Sequence, residues 1–197
     1  MNGRIGGVAA VLLTAAILYG MQRTTPLYSE ITSPVPVRGM QGERVDTSAF
    51  AVGIAAVHLA RTVTVEAFGQ DRRYATSGVW VIVEAAAEAK RESLSLASAD
   101  WLGPDGVRYR ASQRFSIMPG MPGTERLEPG IPRPMLMAFE VPESQLAGAT
   151  LLIARSAYTP LLEEAWIEMA GVEPENIRQS ITLGRGNRLL PWTLEAE

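Results

Sequence analysis

Val79–Ala89, VWVIVEAAAEA, is the stretch whose period decides the fold. Its odd positions, Val79, Val81, Val83, Ala85, Ala87 and Ala89, are all apolar. Its even positions pass from Trp80 and Ile82 to Glu84 and Glu88, so that face turns wet along its length. Side chains that alternate every second residue belong to a strand with one buried face. Glu84–Ser93 also reads as helix, because EAAAEAKRE consists of good helix formers. The β-branched start and the strict alternation favour a strand over most of Val79–Ala89.

Downstream, Ala99-Asp100-Trp101-Leu102 and Val107-Arg108-Tyr109 flank Gly103-Pro104-Asp105-Gly106. Proline pre-sets φ at one corner and glycine accepts a positive φ at the other, which makes this a tight hairpin turn. Met135–Val141 and Ala149–Ala154 read as strands joined by the polar Pro142–Gly148. Upstream, Phe50–Phe68 holds two short runs, AVGIAAV and RTVTVEAF, and in the second Val63 and Val65 alternate with Thr62, Thr64 and Glu66. Gly69–Ser77 reads as a polar turn, and Val35 and Val37 between Pro34 and Pro36 as an extended edge or polyproline segment. Tyr158–Gly171 admits two readings. One is an amphipathic helix with Thr159 as N-cap and Pro160 at the first position; the other is a loop followed by a strand, Glu164–Ala170. A final turn, Gly184-Arg185-Gly186-Asn187, separates Ile181-Thr182-Leu183 from Leu189-Leu190.

At the other end of the chain, Ile5–Met21 (IGGVAAVLLTAAILYGM) contains no charge and lies between Arg4 and Arg23. As a helix it is about 26 Å long, near the lower limit for a hydrocarbon core of about 30 Å. A cleaved secretory signal competes with an uncleaved anchor, but no small-x-small pair follows the apolar core, so an anchor is favoured. Tyr19 and Tyr28 then fall near the outer interface. A four-residue tail stays inside and the bulk outside. The chain has no cysteine, hence no disulfide and no lipidated thiol. Net charge is −3, which offers no field for nucleic acid.

About seven to nine short strands with frequent turns predict an antiparallel β-sandwich. Gly78–Val83, Leu94 followed by Trp101-Leu102, Asp105-Gly106-x-x-Tyr109, Leu127-x-Pro129-Gly130 and Phe139-x-Val141-Pro142 occur in that order. Over about residues 35–155 this resembles a family of uncharacterised bacterial extracytoplasmic immunoglobulin-like domains, which sit behind a lipobox or a single membrane helix. The resemblance implies an immunoglobulin-like fold and an extracytoplasmic compartment, and it brings no catalytic residues. It also tips Glu164–Ala170 toward strand, against the local helix signals. The chain departs from the family in lacking a lipobox cysteine and in its tail after residue 155. The organisation expected is a tail (1–4), a transmembrane anchor (5–22), a linker with a first edge strand (23–46) and an all-β domain (47–197) with an extension from about 156.

Few residues suggest chemistry. His58, in Val57-His58-Leu59, is the single histidine, and without cysteine a zinc site lacks ligands. It reads as a strand residue facing solvent or a loop. Lys90 beside Ser93 and Ser95 reads as an exposed turn. Glu163/Glu164 and Glu173/Glu175, with Glu168, read as a solvated face, since adjacency does not set carboxylates across a cleft. No catalytic residue, cofactor or metal is expected. The Met118–Pro134 loop, with five prolines and three glycines, reads first as a long sandwich connection. Second, it is a docking segment in which Met118, Pro119, Met121 and Pro122 are adaptable contacts. Among the tryptophans, Trp101 and Trp166 are expected in the core, and Trp192 is a candidate contact residue. The function expected is a non-catalytic interaction module, anchored through residues 5–21 on the outer face of the cytoplasmic membrane, whose partner is another envelope protein. The alternative is a ligand-binding domain for a cell-wall glycan or small solute.

Overall fold

The strand that carries the Val79–Ala89 alternation begins upstream of Val79, at Gln70. The computed structural model describes residues 2–25, 32–67, 70–115, 118–158, 161–186 and 191–196, without the side chains of 2–6, 8, 9, 67, 70 and 196. Two units separate in it, Met1–Ser33 and Pro34–Glu197. The first contains helix α1, Asn2–Thr24. Among the described residues no helix is long and apolar enough to cross a membrane. Tyr28, Thr159, Pro160, Asn187, Leu189 and Leu190 lie outside the described residues.

The second unit holds eleven strands: β1 (Val35–Met40), β2 (Arg44–Asp46), β3 (Phe50–Ala67), β4 (Gln70–Ala89), β5 (Ser98–Leu102), β6 (Arg108–Arg110), β7 (Arg133–Val141), β8 (Thr150–Ala154), β9 (Glu163–Glu168), β10 (Ile177–Arg185) and β11 (Trp192–Ala196). One sheet runs β1-β9-β8-β5-β6, the other β11-β10-β3-β4-β7, and β2 pairs with the start of β3. The pairing is not purely antiparallel, because β1 runs parallel to β9 and β10 parallel to β3. A short turn forces antiparallel pairing only between consecutive strands, and these partners are far apart in sequence.

The odd residues of Val79–Ala89 fill the space between the sheets with Phe50, Val52, Met137, Phe139, Leu151, Ile153, Ala165 and Ile167. Trp101 joins this core as expected, 5.9 Å from the Phe139 ring, and its indole N–H donates to the Gln145 carbonyl at 2.9 Å. Glu84–Ala89 is strand, so the helix reading there fails: strand pairing with β3 and β7 and burial of every second side chain outweigh intrinsic propensity. Glu163–Glu168 is strand too, as the family resemblance implied. The Gly103–Gly106 turn closes with Gly106 N–H on the Gly103 carbonyl at 2.9 Å, and Gly106 has φ +79°.

Phe50–Ala67 is one strand, not two runs, and Gln70–Ser77 is strand rather than turn. Two irregularities in the β3–β4 register, at Ile54/Ala56 and Ala60/Thr62, explain why a single period was hidden. Each reverses which parity faces the main core. Phe50, Val52 and Ile54 point inward, then Leu59 does, and beyond the second irregularity Val63 and Val65 point to the outer side. There a second cluster forms from Trp80, Ile82, Phe115, Met118, Met121, Leu136 and Trp192. The even face of β4 is therefore dry at Trp80 and Ile82 and wet only from Glu84 on.

The β1 edge is blunted. Val35 and Gln41 N–H groups bond to the Leu162 and Glu168 carbonyls, so alternate N–H groups of β1 face β9. On the free side Pro36 has no N–H, and the Met40 N–H donates to the Glu43 carboxylate at 3.3 Å. Such an edge resists addition of a further strand.

Candidate functional site

Glu84 is the first polar residue after Trp80 and Ile82 on the even face of β4, where the second cluster ends. It pairs with Ala56 of β3, and His58 two residues further on pairs with Ile82, so His58 and Glu84 are diagonal neighbours on one face. His58 Nε2 lies 2.8 Å from Glu84 Oε1. The indole N–H of Trp192, from β11, donates to Glu84 Oε2 at 2.7 Å. Both carboxylate oxygens thus have a partner, and both the His58 and Glu84 side chains are four-fifths buried. The hydrogen bond from His58 holds the Glu84 carboxyl below the usual glutamate range, opposed by burial and reinforced by Trp192.

His58 has no partner within reach along the chain, and the fold supplies one from β4. The Glu84 carboxylate fixes the imidazole orientation. Beside it lies an open groove of about 410 Å³, lined by His58, Leu59, Asn176, Ile177 and Arg178 among others. Asn176 spends its amide N–H on the Gly171 carbonyl at 2.8 Å. Among the described residues no group of three or more His, Cys, Asp or Glu could hold a metal ion. The arrangement ties three strands together at the border of the second core. Its signal in the sequence was a lone glutamate following Trp80 and Ile82 at even positions; the strand register that brings His58 to it was not legible.

The residues proposed for docking lie mostly inside. Met118 and Met121 are 2% exposed and Trp192 is 1% exposed, so the expectation that these side chains present a contact surface is corrected. Pro119 and Pro122 are half-buried. The loop is pinned by the Leu136 N–H on the Gly120 carbonyl (2.9 Å) and the Gly123 N–H on the Leu96 carbonyl (2.7 Å). Its methionines fill the outer side of the second sheet, because Trp80 and Ile82 on that side need an apolar cover.

Trp166 is also misplaced by the sequence reading. It stands half-buried on the outer face of the first sheet, with Arg38 and Arg108 guanidinium carbons 5.2 and 5.9 Å from its ring. Its N–H donates to Glu164 at 2.8 Å, and Arg108 reaches toward both Glu164 and Asp100 at 3.6 and 3.8 Å. Lys90 pairs with Asp46 at 2.9 Å and Ser93 donates to Glu128, so no Ser–Lys dyad exists. Glu163 accepts the Ser48 backbone N–H, which pulls its carboxyl below the usual range.

No protein-family model matches the chain, and a search of curated proteins gives no match. Three solved structures are similar in fold. One is an uncharacterized β-sandwich protein from Clostridium difficile 630 (13% identity, 70% of this chain and 97% of that one, TM-score 0.42). Another is the yjhA protein from Bacillus subtilis (12% identity, 66% and 99% covered, TM-score 0.49). The third is MPT63, a secreted protein from Mycobacterium tuberculosis (14% identity, 67% and 98% covered, TM-score 0.46). This likeness concerns the two-sheet sandwich alone.

Proposed function

We propose that the chain is a membrane-anchored, non-catalytic interaction module with an immunoglobulin-like sandwich on the extracytoplasmic side of the bacterial cytoplasmic membrane. The observation that carries the reading is the surface of α1. Val11, Leu12, Leu13, Ile17, Leu18 and Met21 fall on every side of the helix and are all more than half exposed. A helix that is apolar all round is stable only inside apolar surroundings. The described side chains cover part of this helix; over the whole run Ile5–Met21 the sequence has no charge.

A protein partner is favoured over a glycan or solute. Three surface grooves among the described residues have no Trp, Tyr or Phe in their lining, and two are mixed or polar shelves at the sheet surface. Small-molecule sites are concave and lined by apolar and aromatic side chains. Here Trp80, Trp101 and Trp192 are consumed by packing. The partner we propose is another envelope protein.

Alkaline extraction of cell membranes followed by intact-mass measurement tests the anchor. A membrane-retained species of 21.3 kDa is expected. A mature chain beginning shortly after Met21, or full-length chain in the soluble fraction, overturns the anchor. Photo-crosslinkers on the sandwich surface in intact cells then identify the partner, and exclusive capture of glycan overturns the protein-binding reading.

A further inference from the structure

Apolar side chains are exposed unevenly over the sandwich. Val35, Ile131, Tyr158, Leu161 and Leu162 all stand at one end, and each is at least 46% exposed. That end is where β1 and β9 begin side by side and where β4 and β8 stop. Two contacts join the two sheets there: Ser48 N–H donates to the Glu163 carboxylate, and Arg155 to Glu92 at 2.8 Å. Within the second sheet, Lys90 N–H donates to the Ala49 carbonyl. Gly130 N–H bonds to the Ala89 carbonyl, which brings Ile131 to the same end. At the opposite end the turns are polar, with Pro104-Asp105-Gly106 and Glu143-Ser144 exposed, and the large apolar side chains exposed there are Met40 and Val107.

We propose that this apolar end rests on the lipid bilayer, with Tyr158, Leu161 and Leu162 in the interfacial layer. The inference rests on the anchor reading of α1. The occupant follows from chain length. Nine residues lie between Thr25 and Val35, and an extended chain spans at most about 36 Å over these ten steps. The chain leaving the anchor enters the sandwich at Val35, in the apolar end itself, whose backbone Val35 N–H bonds to the Leu162 carbonyl at 2.9 Å. Tyrosine and leucine at such a tip match the interfacial layer, where amphipathic rings and short apolar insertions are stable. The adjoining β4–β5 turn carries the exposed Arg91, with Lys90 paired to Asp46 and Glu92 to Arg155. Leu161 is the one described non-glycine residue with positive φ, +56°.

The absence of cysteine makes the test direct. Leu161→Cys, Val107→Cys and Val11→Cys, each in the full chain, receive a single bimane fluorophore after reconstitution into phosphatidylcholine/phosphatidylglycerol vesicles. Quenching by lipids doxyl-labelled near the headgroup or along the acyl chain is then read. The expected result is strong quenching at 11 and at 161, with quenching at 161 at least about threefold that at 107. Quenching at 11 with none at 161, or equal quenching at 161 and 107, overturns the docking while leaving the anchor intact. No quenching at 11 sinks the anchor reading and the docking that rests on it. A second arm places the probe at Val35→Cys; adding Leu161→Ser and Leu162→Ser should roughly halve its quenching. Unchanged quenching there removes the two leucines from the contact.

Discussion

The indole N–H of Trp192 donates to Glu84 Oε2 at 2.7 Å, across 108 residues of sequence. It brings the last described strand under the edge of the second core, with the ring packed on Gly120 and its neighbours. The strand β11 pairs with β10 alone, and the buried Trp192 side chain adds a second attachment of β11 to the sandwich.

Trp192→Ala should destabilise the sandwich by about 3–5 kcal/mol, the cost of emptying a buried indole site. Trp192→Phe retains most of the packing but leaves Glu84 Oε2 without its donor, at a cost of about 1–3 kcal/mol. Urea unfolding of the three proteins checks the order. Equal losses for Phe and Ala would mean the hydrogen bond, not the packing, holds β11.

Acid should weaken the fold through Glu84. Its carboxyl is depressed in the folded state, so its contribution is fully present above the unfolded value, about 4.3, and is lost as pH falls through the lower folded value. Unfolding free energy measured from pH 6 to 3 should show a fall that Glu84→Gln largely removes. A variant with the same pH slope as the parent would assign the acid sensitivity to other carboxylates.

His58→Ala removes the largest cause of that depression, and its stability cost should be about 1–3 kcal/mol at neutral pH. Partner crosslinking should persist at the parent level when folding is matched. Loss of capture with unchanged stability would turn the groove beside His58 and Arg178 into a binding site.

Gly78→Ala should be among the costliest single changes. A Cβ there falls 2.3 Å from the Val141 carbonyl oxygen, against backbone of β7 that cannot swing aside as a side chain can. A loss of about 1–3 kcal/mol or more is expected, because strand separation must rise locally. Thermal unfolding of Gly78→Ala beside Gly53→Ala, whose Cβ meets nothing closer than 3.6 Å, measures the contrast.

Replacing Met118–Gly123 by a Gly/Ser spacer should lower the melting temperature by several degrees, since two buried methionines are deleted at about 2–5 kcal/mol each. Crosslinking to a partner should change little. Reduced capture at unchanged melting temperature would restore the loop as the contact segment.

What the sequence determined by itself was local. The period of Val79–Ala89 specified a strand with a continuous apolar face, because only an extended chain puts alternate side chains on one side. The Gly103–Gly106 turn followed from fixed φ at proline and tolerated positive φ at glycine. The uncharged run from Ile5 specified a helix apolar on all sides. Tyr158–Gly171 was ambiguous because its apolar spacing satisfies both periods, and pairing with β1 and β8 decided for strand. Tertiary structure alone decided which side of the second sheet each part of β3 faces, since irregular register reverses parity without altering composition. It decided the parallel partnerships, which no hairpin announces. It also turned Met118, Met121 and Trp192 inward, because the need to cover Trp80 and Ile82 arises only once β4 lies in a sheet with its even face exposed to that loop. And it gave His58 its carboxylate, a pairing set by cross-strand register and therefore invisible to spacing along the chain.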